Sequence, residues 1–119
     1  MQTEFTLFDE AHVIATAEEW KEVVGFPGYE VSTMGRFRSK TSGKYLSGTL
    51  AHNGYQHIGL FTGGKQVWKL CHRLVAETFL EVPSKEHCVV NHRNKQRNDN
   101  RLSNLEWATR SWNAKHSKQ

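Results

Sequence analysis

From Tyr29 onward, apolar or aromatic residues alternate with polar ones in short runs separated by turn chemistry. Tyr29-Glu30-Val31-Ser32, the turn Thr33-Met34-Gly35 and the run Arg36-Phe37-Arg38-Ser39 predict a hairpin, because successive strand side chains point to opposite faces and each run keeps one face apolar. Lys44-Tyr45-Leu46 and the run Tyr55 to Phe61 continue the pattern, and Thr62-Gly63-Gly64-Lys65 predicts a tight turn because paired glycines accept positive φ. A returning strand follows over Gln66 to Cys71. Around His72 the period becomes helical, with Leu74, Val75, Thr78 and Phe79 on one face, and the helix ends before Pro83 and Ser84.

Cys88-Val89-Val90 forms a short apolar strand that runs into Asn91-His92. After the polar loop RNKQRNDNRLS comes a second strand, Leu105-Glu106-Trp107, and then a helix that Thr109 can cap through its hydroxyl. On that helix Asn113 and His116 project from one face, and Thr109 lies on the same side one turn earlier. This short helix is expected to close a pocket with the two strands, and the helix around Leu74 is expected to pack beneath them. The class is α+β: a small antiparallel sheet joined to a ββα unit. Trp20, Tyr29, Trp68, Phe79 and Trp107 are expected in the core, since each lies in an alternating or helical apolar pattern.

Composition narrows the class. A chain of 119 residues with 37% hydrophobic residues and four Trp is expected to fold as one compact globular domain. Sixteen Lys and Arg against twelve Asp and Glu leave a net charge of +4, which favours a polyanionic partner. Cys71 and Cys88 form no CxxC pair, so a reduced, cytoplasmic protein is expected rather than a disulfide framework. No segment has the ~18 consecutive apolar residues of a membrane span, and the start MQTEFTLFDE lacks the character of a signal peptide, so no membrane partner is expected.

The runs VVNH, NLEWAT and HRLVAETF resemble the HNH endonuclease family in its phage homing endonuclease subgroup, and EEWKEVVGFPGYEVSTMGRFRS is similar to the NUMOD4-like module that often precedes it. The resemblance covers roughly residues 18 to 116 and implies three parts: a leader at 1–17, a β-rich DNA-contacting module at 18–66 and an HNH ββα-metal nuclease unit at 67–119. It implies a metal-dependent endonuclease hydrolysing phosphodiester bonds in double-stranded DNA, homing or nicking in type, in a phage-infected host cell. His92 takes the general-base role, for which a neutral imidazole is suited. Asn91 and Asn113 fall at the metal-ligand positions, His116 is a further candidate ligand or phosphate contact, and Asn104 holds the loop that supports the base.

Many relatives carry Asp at the first ligand position. An amide oxygen still ligates Mg²⁺ or Mn²⁺, but it adds no negative charge, so a weaker site that leans on the DNA phosphates is implied. An imidazole ligand would make Ni²⁺ or Zn²⁺ competitive. His72 and Arg73 are expected to support the site from the neighbouring helix, with Arg73 in reach of a phosphate. Arg93, Lys95, Arg97 and Arg101 crowd the loop beside the pocket, and Arg36, Arg38, Lys40 and Lys44 lie on the amino-terminal hairpin; both sets are candidate DNA contacts.

Against these readings stand plainer ones: a strand-end histidine, an exposed helical asparagine and a solvated basic loop. The matching spacing of Asn91, His92, Asn104 and Asn113 outweighs them. His12, His52, His57 and His87 have no partner pattern and are expected at the surface or satisfied locally. Two other functions remain open: a DNA-binding protein of the same fold with weakened or lost nuclease activity, and, at a distance, a zinc module using Cys71, Cys88, His72 or His87. Dimerisation is open as well.

Overall fold

The computed structural model describes residues 17–117. The expected leader therefore lies outside the described residues apart from Ala17, and His12 lies outside them with it. The described residues form three antiparallel sheets and two α-helices. Strands β1 (Trp20–Val23), β2 (Phe26–Ser32), β3 (Phe37–Ser39) and β4 (Tyr45–Leu46) make a four-stranded meander. Strands β5 (Thr49–Leu50), β6 (Gln56–Thr62) and β7 (Lys65–Leu70) make a second sheet. Helix α1 (Cys71–Phe79) leads to the ribbon of β8 (Val89–His92) and β9 (Leu105–Ala108), which ends in α2 (Arg110–Ser117).

The α+β class and the terminal ββα unit are thus as expected. Both residues of the Gly63-Gly64 turn have positive φ, 58° and 79°, the geometry that matches the right-handed twist of flanking strands. Helix α1 packs against β8 and β9 and also against β1, β2, β6 and β7. It buries Leu74, Val75 and Ala76 against Val23, Val31, Ile58, Leu60, Val90 and Leu105, so one core serves all three sheets.

Strands β1 and β5 were not expected. In β1 only Trp20 and Val23 are apolar, and the register shifts at Glu22/Val23, so a bulge breaks the alternation that would mark a strand. Strand β5 is two residues long and exposed. Trp68 is a correction: it is 56% exposed rather than in the core. It pairs with Gly59, which has no side chain, and a Cβ there would stand 3.2 Å from its indole, so the ring lies across the sheet's outer face. Trp20 is half-buried beneath Arg38, whose guanidinium carbon is 3.8 Å from its ring centroid. Tyr29, Phe79 and Trp107 do pack on the core.

The turn between β2 and β3 is tied to the last third of the chain. Buried Ser32 accepts the backbone N–H groups of Met34 and Arg36 at 3.1 Å through its hydroxyl, and Leu102 N–H donates to Thr33 C=O at 2.8 Å. Gly35 has φ +80°, and a Cβ on it would meet the carbonyl oxygen of Asn100 at 2.7 Å. Gly43, with φ +73°, has nothing within 4 Å of such a Cβ. Gly35→Ala is therefore expected to lower unfolding free energy by about 2–3 kcal/mol, against about 1 kcal/mol for Gly43→Ala, since only the first adds a collision to the cost of left-handed backbone. Urea unfolding of the two variants checks the difference.

Candidate active site

Asn91 and His92 end strand β8, opposite Glu106 and Leu105 of β9. Helix α2 starts where β9 ends because Thr109 caps it: its hydroxyl accepts the N–H of Trp112 at 3.1 Å. The helix returns over β8, and its Asn113 and His116 meet Asn91 and His92 around one cleft of about 100 Å³, also lined by Tyr55, Val90, Lys95 and Arg97. Residues 92 and 113, distant along the chain, thus face the same small space. A larger cavity of about 270 Å³ lies beside Trp107 and Trp112, but it lacks these convergent polar groups.

His92 is buried, with Nε2 2.9 Å from Asn100 Oδ1. Its ring centroid is 4.9 Å from that of His72, which in turn stacks on Tyr55 at 5.1 Å. Burial holds the His92 imidazolium below the ordinary histidine range, against the opposing pull of Asn100 and Asp99, so the ring is neutral near pH 7. His72 is pushed down further, to about 3, by burial first and then by His92, Arg73 and His57. Its Nδ1 is buried without a hydrogen-bond partner.

Asn91 is buried and donates Nδ2–H to Glu106 Oε2 at 2.8 Å, which leaves Oδ1 as the lone-pair end of the amide. His116 stacks on Trp112 at 4.8 Å, and its Nε2 is buried without a partner. Asn104 lies outside the cleft, in the 3₁₀ turn Leu102–Asn104. Its Oδ1 accepts Asn94 N–H at 3.0 Å, its Nδ2 donates to Asp99 C=O at 2.8 Å, and its own carbonyl accepts Arg93 N–H at 2.8 Å. It staples the polar loop at both ends.

The family model described as HNH endonuclease matches residues 69–115, and that described as NUMOD4 motif matches residues 18–61. The chain belongs to the HNH endonuclease family. Among its relatives is DNA endonuclease I-HmuI of Bacillus phage SP01, 40% identical over 99 residues that cover 82% of this chain and 56% of that protein. An uncharacterized HNH endonuclease, L245, of Acanthamoeba polyphaga mimivirus is 37% identical over 83% of this chain and 29% of its own length. H-N-H endonuclease F-TflII of Escherichia phage T5 is 33% identical over 74% of this chain and 46% of its own. The solved structure of DNA binding and cleavage by the HNH homing endonuclease I-HmuI superposes with a TM-score of 0.76 at 40% identity, covering 84% of this chain and 57% of that one. The chain thus spans little more than half the length of I-HmuI and less of the other relatives.

The candidate DNA-contacting cations of the HNH unit differ in their surroundings. Lys95 and Arg97 line the cleft; Arg97 donates to Asn53 C=O at 2.9 Å and sits over Tyr55, and Arg93 is exposed and 3.6 Å from Glu106. Arg101 instead grips Asp99 with two hydrogen bonds of 2.8 and 2.7 Å, and this grip, with Asn94 helping, holds the Asp99 carboxyl down at about 2. Arg73 is outside the cleft, bonded to Cys88 C=O at 2.9 Å and Glu77 at 3.2 Å. In the NUMOD4 motif Arg36, Arg38 and Lys40 are ion-paired with Glu18, Glu30 and Glu22, while Lys44 is exposed.

Sequence reasoning missed Glu106, Asn100, Gln56 and Tyr55. For Glu106 a signal existed: pairing the two strands antiparallel places it opposite Asn91. For the other three, only tertiary packing brings them in. His52 is exposed and His57 half-buried, neither lining the cleft, and His87 is satisfied by Ser84 Oγ at 2.8 Å.

His72 gives a pH prediction. Its folded value, about 3, is below the ordinary 6.5, so the unfolded chain takes up the proton first. Stability from this group is complete above pH ~6.5 and falls through the window down to pH ~3, by about 1.4 kcal/mol per unit inside it. Urea midpoints should drop between pH 7.5 and 5, with His92 acting in the same direction, and the drop should be smaller in His72→Phe.

Proposed function

We propose that this chain is a metal-dependent DNA endonuclease that hydrolyses phosphodiester bonds, with His92 as general base and Asn91 and Asn113 as ligands of one divalent ion. The observation that carries this reading is the convergence of Asn91, His92, Asn113 and His116 on one cleft. Burial disfavours the charged form of His92, which suits its ring to take a proton from an attacking water.

The donors fit a divalent ion. Asn91 presents Oδ1 because Glu106 holds its nitrogen, Asn113 adds a second amide, and His116 Nε2 is a buried ring nitrogen with no protein partner. When bound, the ion supplies positive charge against the phosphate and the leaving oxygen. Two amides and an imidazole favour Mg²⁺ or Mn²⁺, with Ni²⁺ or Zn²⁺ as competitors. The Glu106 carboxylate polarises the Asn91 amide and so restores part of the basicity that Asp would have brought. Arg97 and Lys95 border the cleft where a DNA backbone would pass, and Arg93 is exposed beside Glu106. One such site among the described residues would cut one strand per bound copy.

A second reading, DNA binding with weakened or lost cleavage, is favoured by the amides at both ligand positions. Among the described residues no group of three or more His, Cys, Asp or Glu is placed to hold a metal, which gives the zinc-module alternative no support. Cys71 is buried, and burial pushes its thiol up to about 12, far from a zinc-binding thiolate.

Incubating supercoiled plasmid with the protein and Mg²⁺ or Mn²⁺ separates the readings. Nicking is expected, and His92→Ala should slow it by about 10²–10⁴-fold. Cleavage that survives in His92→Ala would sink the assignment, and binding with no metal-dependent cleavage would establish the second reading. Glu106→Gln should raise the Mg²⁺ concentration at half-maximal rate by about 10-fold, read from a metal titration.

A further inference from the structure

The His92 imidazole is not held by Asn104, the loop staple. Its Nε2 meets Asn100 Oδ1 at 2.9 Å, and Asn100 is itself buried. The other end of that amide is fixed too: Asn100 Nδ2 donates to Gln56 Oε1 at 3.0 Å, from strand β6 of the second sheet. The backbone of Asn100 is pressed by the β2–β3 turn, where a Cβ on Gly35 would come within 2.7 Å of its carbonyl oxygen. Two residues on, Leu102 N–H is bonded to Thr33 C=O of the same turn at 2.8 Å. Side chain and backbone of Asn100 are therefore located from two different sheets, both outside the ββα unit.

We infer that Asn100 is a positioning residue for the reaction: through Gln56 and the Gly35 turn it fixes His92 in the tautomer with hydrogen on Nε2. An amide oxygen only accepts, so with Nδ2 given to Gln56 the atom facing the ring demands a hydrogen on Nε2. The lone pair then sits on Nδ1, and that nitrogen is the one that takes the proton from water. Turning the Asn100 amide over would put two N–H donors in conflict unless the lone pair moved to Nε2, away from its working position. The amino-terminal half of the chain thus contributes directly to which nitrogen is basic. This rests on His92 being the general base.

The test uses the full chain, its variants and two readouts. Long-range ¹H–¹⁵N correlation spectra of the metal-free protein at pH 8, with His92→Gln to assign the signals, report the tautomer without any need for cleavage. Single-turnover nicking of supercoiled plasmid with Mn²⁺, beside a DNA-binding titration, separates rate from affinity. The wild-type ring should be in the Nε2–H form. Asn100→Asp keeps the accepting oxygen and should keep that form. Asn100→Leu should show a mixture of tautomers and nick about 10²-fold more slowly, with DNA affinity within about 2-fold of wild type. Gln56→Leu, which leaves Asn100 in place but frees its amide, should show the same mixture and a smaller rate loss; it stands in if Asn100→Leu does not fold.

An Nδ1–H ring in the wild type, or a folded Asn100→Leu or Gln56→Leu with both tautomer and rate unchanged, would overturn the proposal. Undiminished cleavage by His92→Gln would instead overturn the general-base reading beneath it, and the role of Asn100 in catalysis with it.

Discussion

A segment of twelve residues, Arg93 to Asn104, joins the two strands of the nuclease ribbon, and Leu102 is its only apolar side chain. Hydrophobic burial cannot shape such a segment, so its form depends on hydrogen bonds that side chains make to backbone. Asn104 ties Arg93 and Asn94 to Asp99, and Asp99 holds Asn94 and Arg101. Lys95, with φ 66°, adopts the left-handed backbone that this tight path requires. Because His92 stands at one end of the segment and Asn100 inside it, the local order of the base follows from how well these polar groups satisfy one another.

Electrostatics adds a division of labour. The basic surplus that favours a polyanion is modest, and the ion pairs of Arg36, Arg38, Lys40 and Arg101 reduce the field those residues project. Exposed pairs of this kind add little stability. Two of these paired guanidinium groups also lie over aromatic rings, Arg38 over Trp20 and Arg36 over Tyr45. Charge aimed into the cleft comes from fewer side chains, and those sit beside an imidazole that burial keeps neutral.

Much of this was legible in the residues, and the failures have local causes. The Gly63-Gly64 turn, the helix from Leu74 to Phe79 and the capped terminal helix follow from patterns that each occupy a few consecutive positions. Asn91, His92, Asn113 and His116 come together because strand register and helical period, both readable, carry them there. Strand β1 escaped because its bulge falls in four residues, and Trp68 because a glycine across the ladder gives an indole room outside. Asn100 and Gln56 were invisible for another reason: their pairing joins positions 44 residues apart, with no periodicity between them. Amide-to-amide contacts of that range are set only once the core has closed.

The fit of Gly35 against Asn100 has a bearing on how such proteins can be assembled from parts. Two segments that look separable along the chain share a surface with no room for a methyl group, so a counterpart can replace the hairpin only if it too brings a glycine to the tip that meets the loop. Recombination between homologous genes would keep that fit only where the hairpin tip stays free of a side chain.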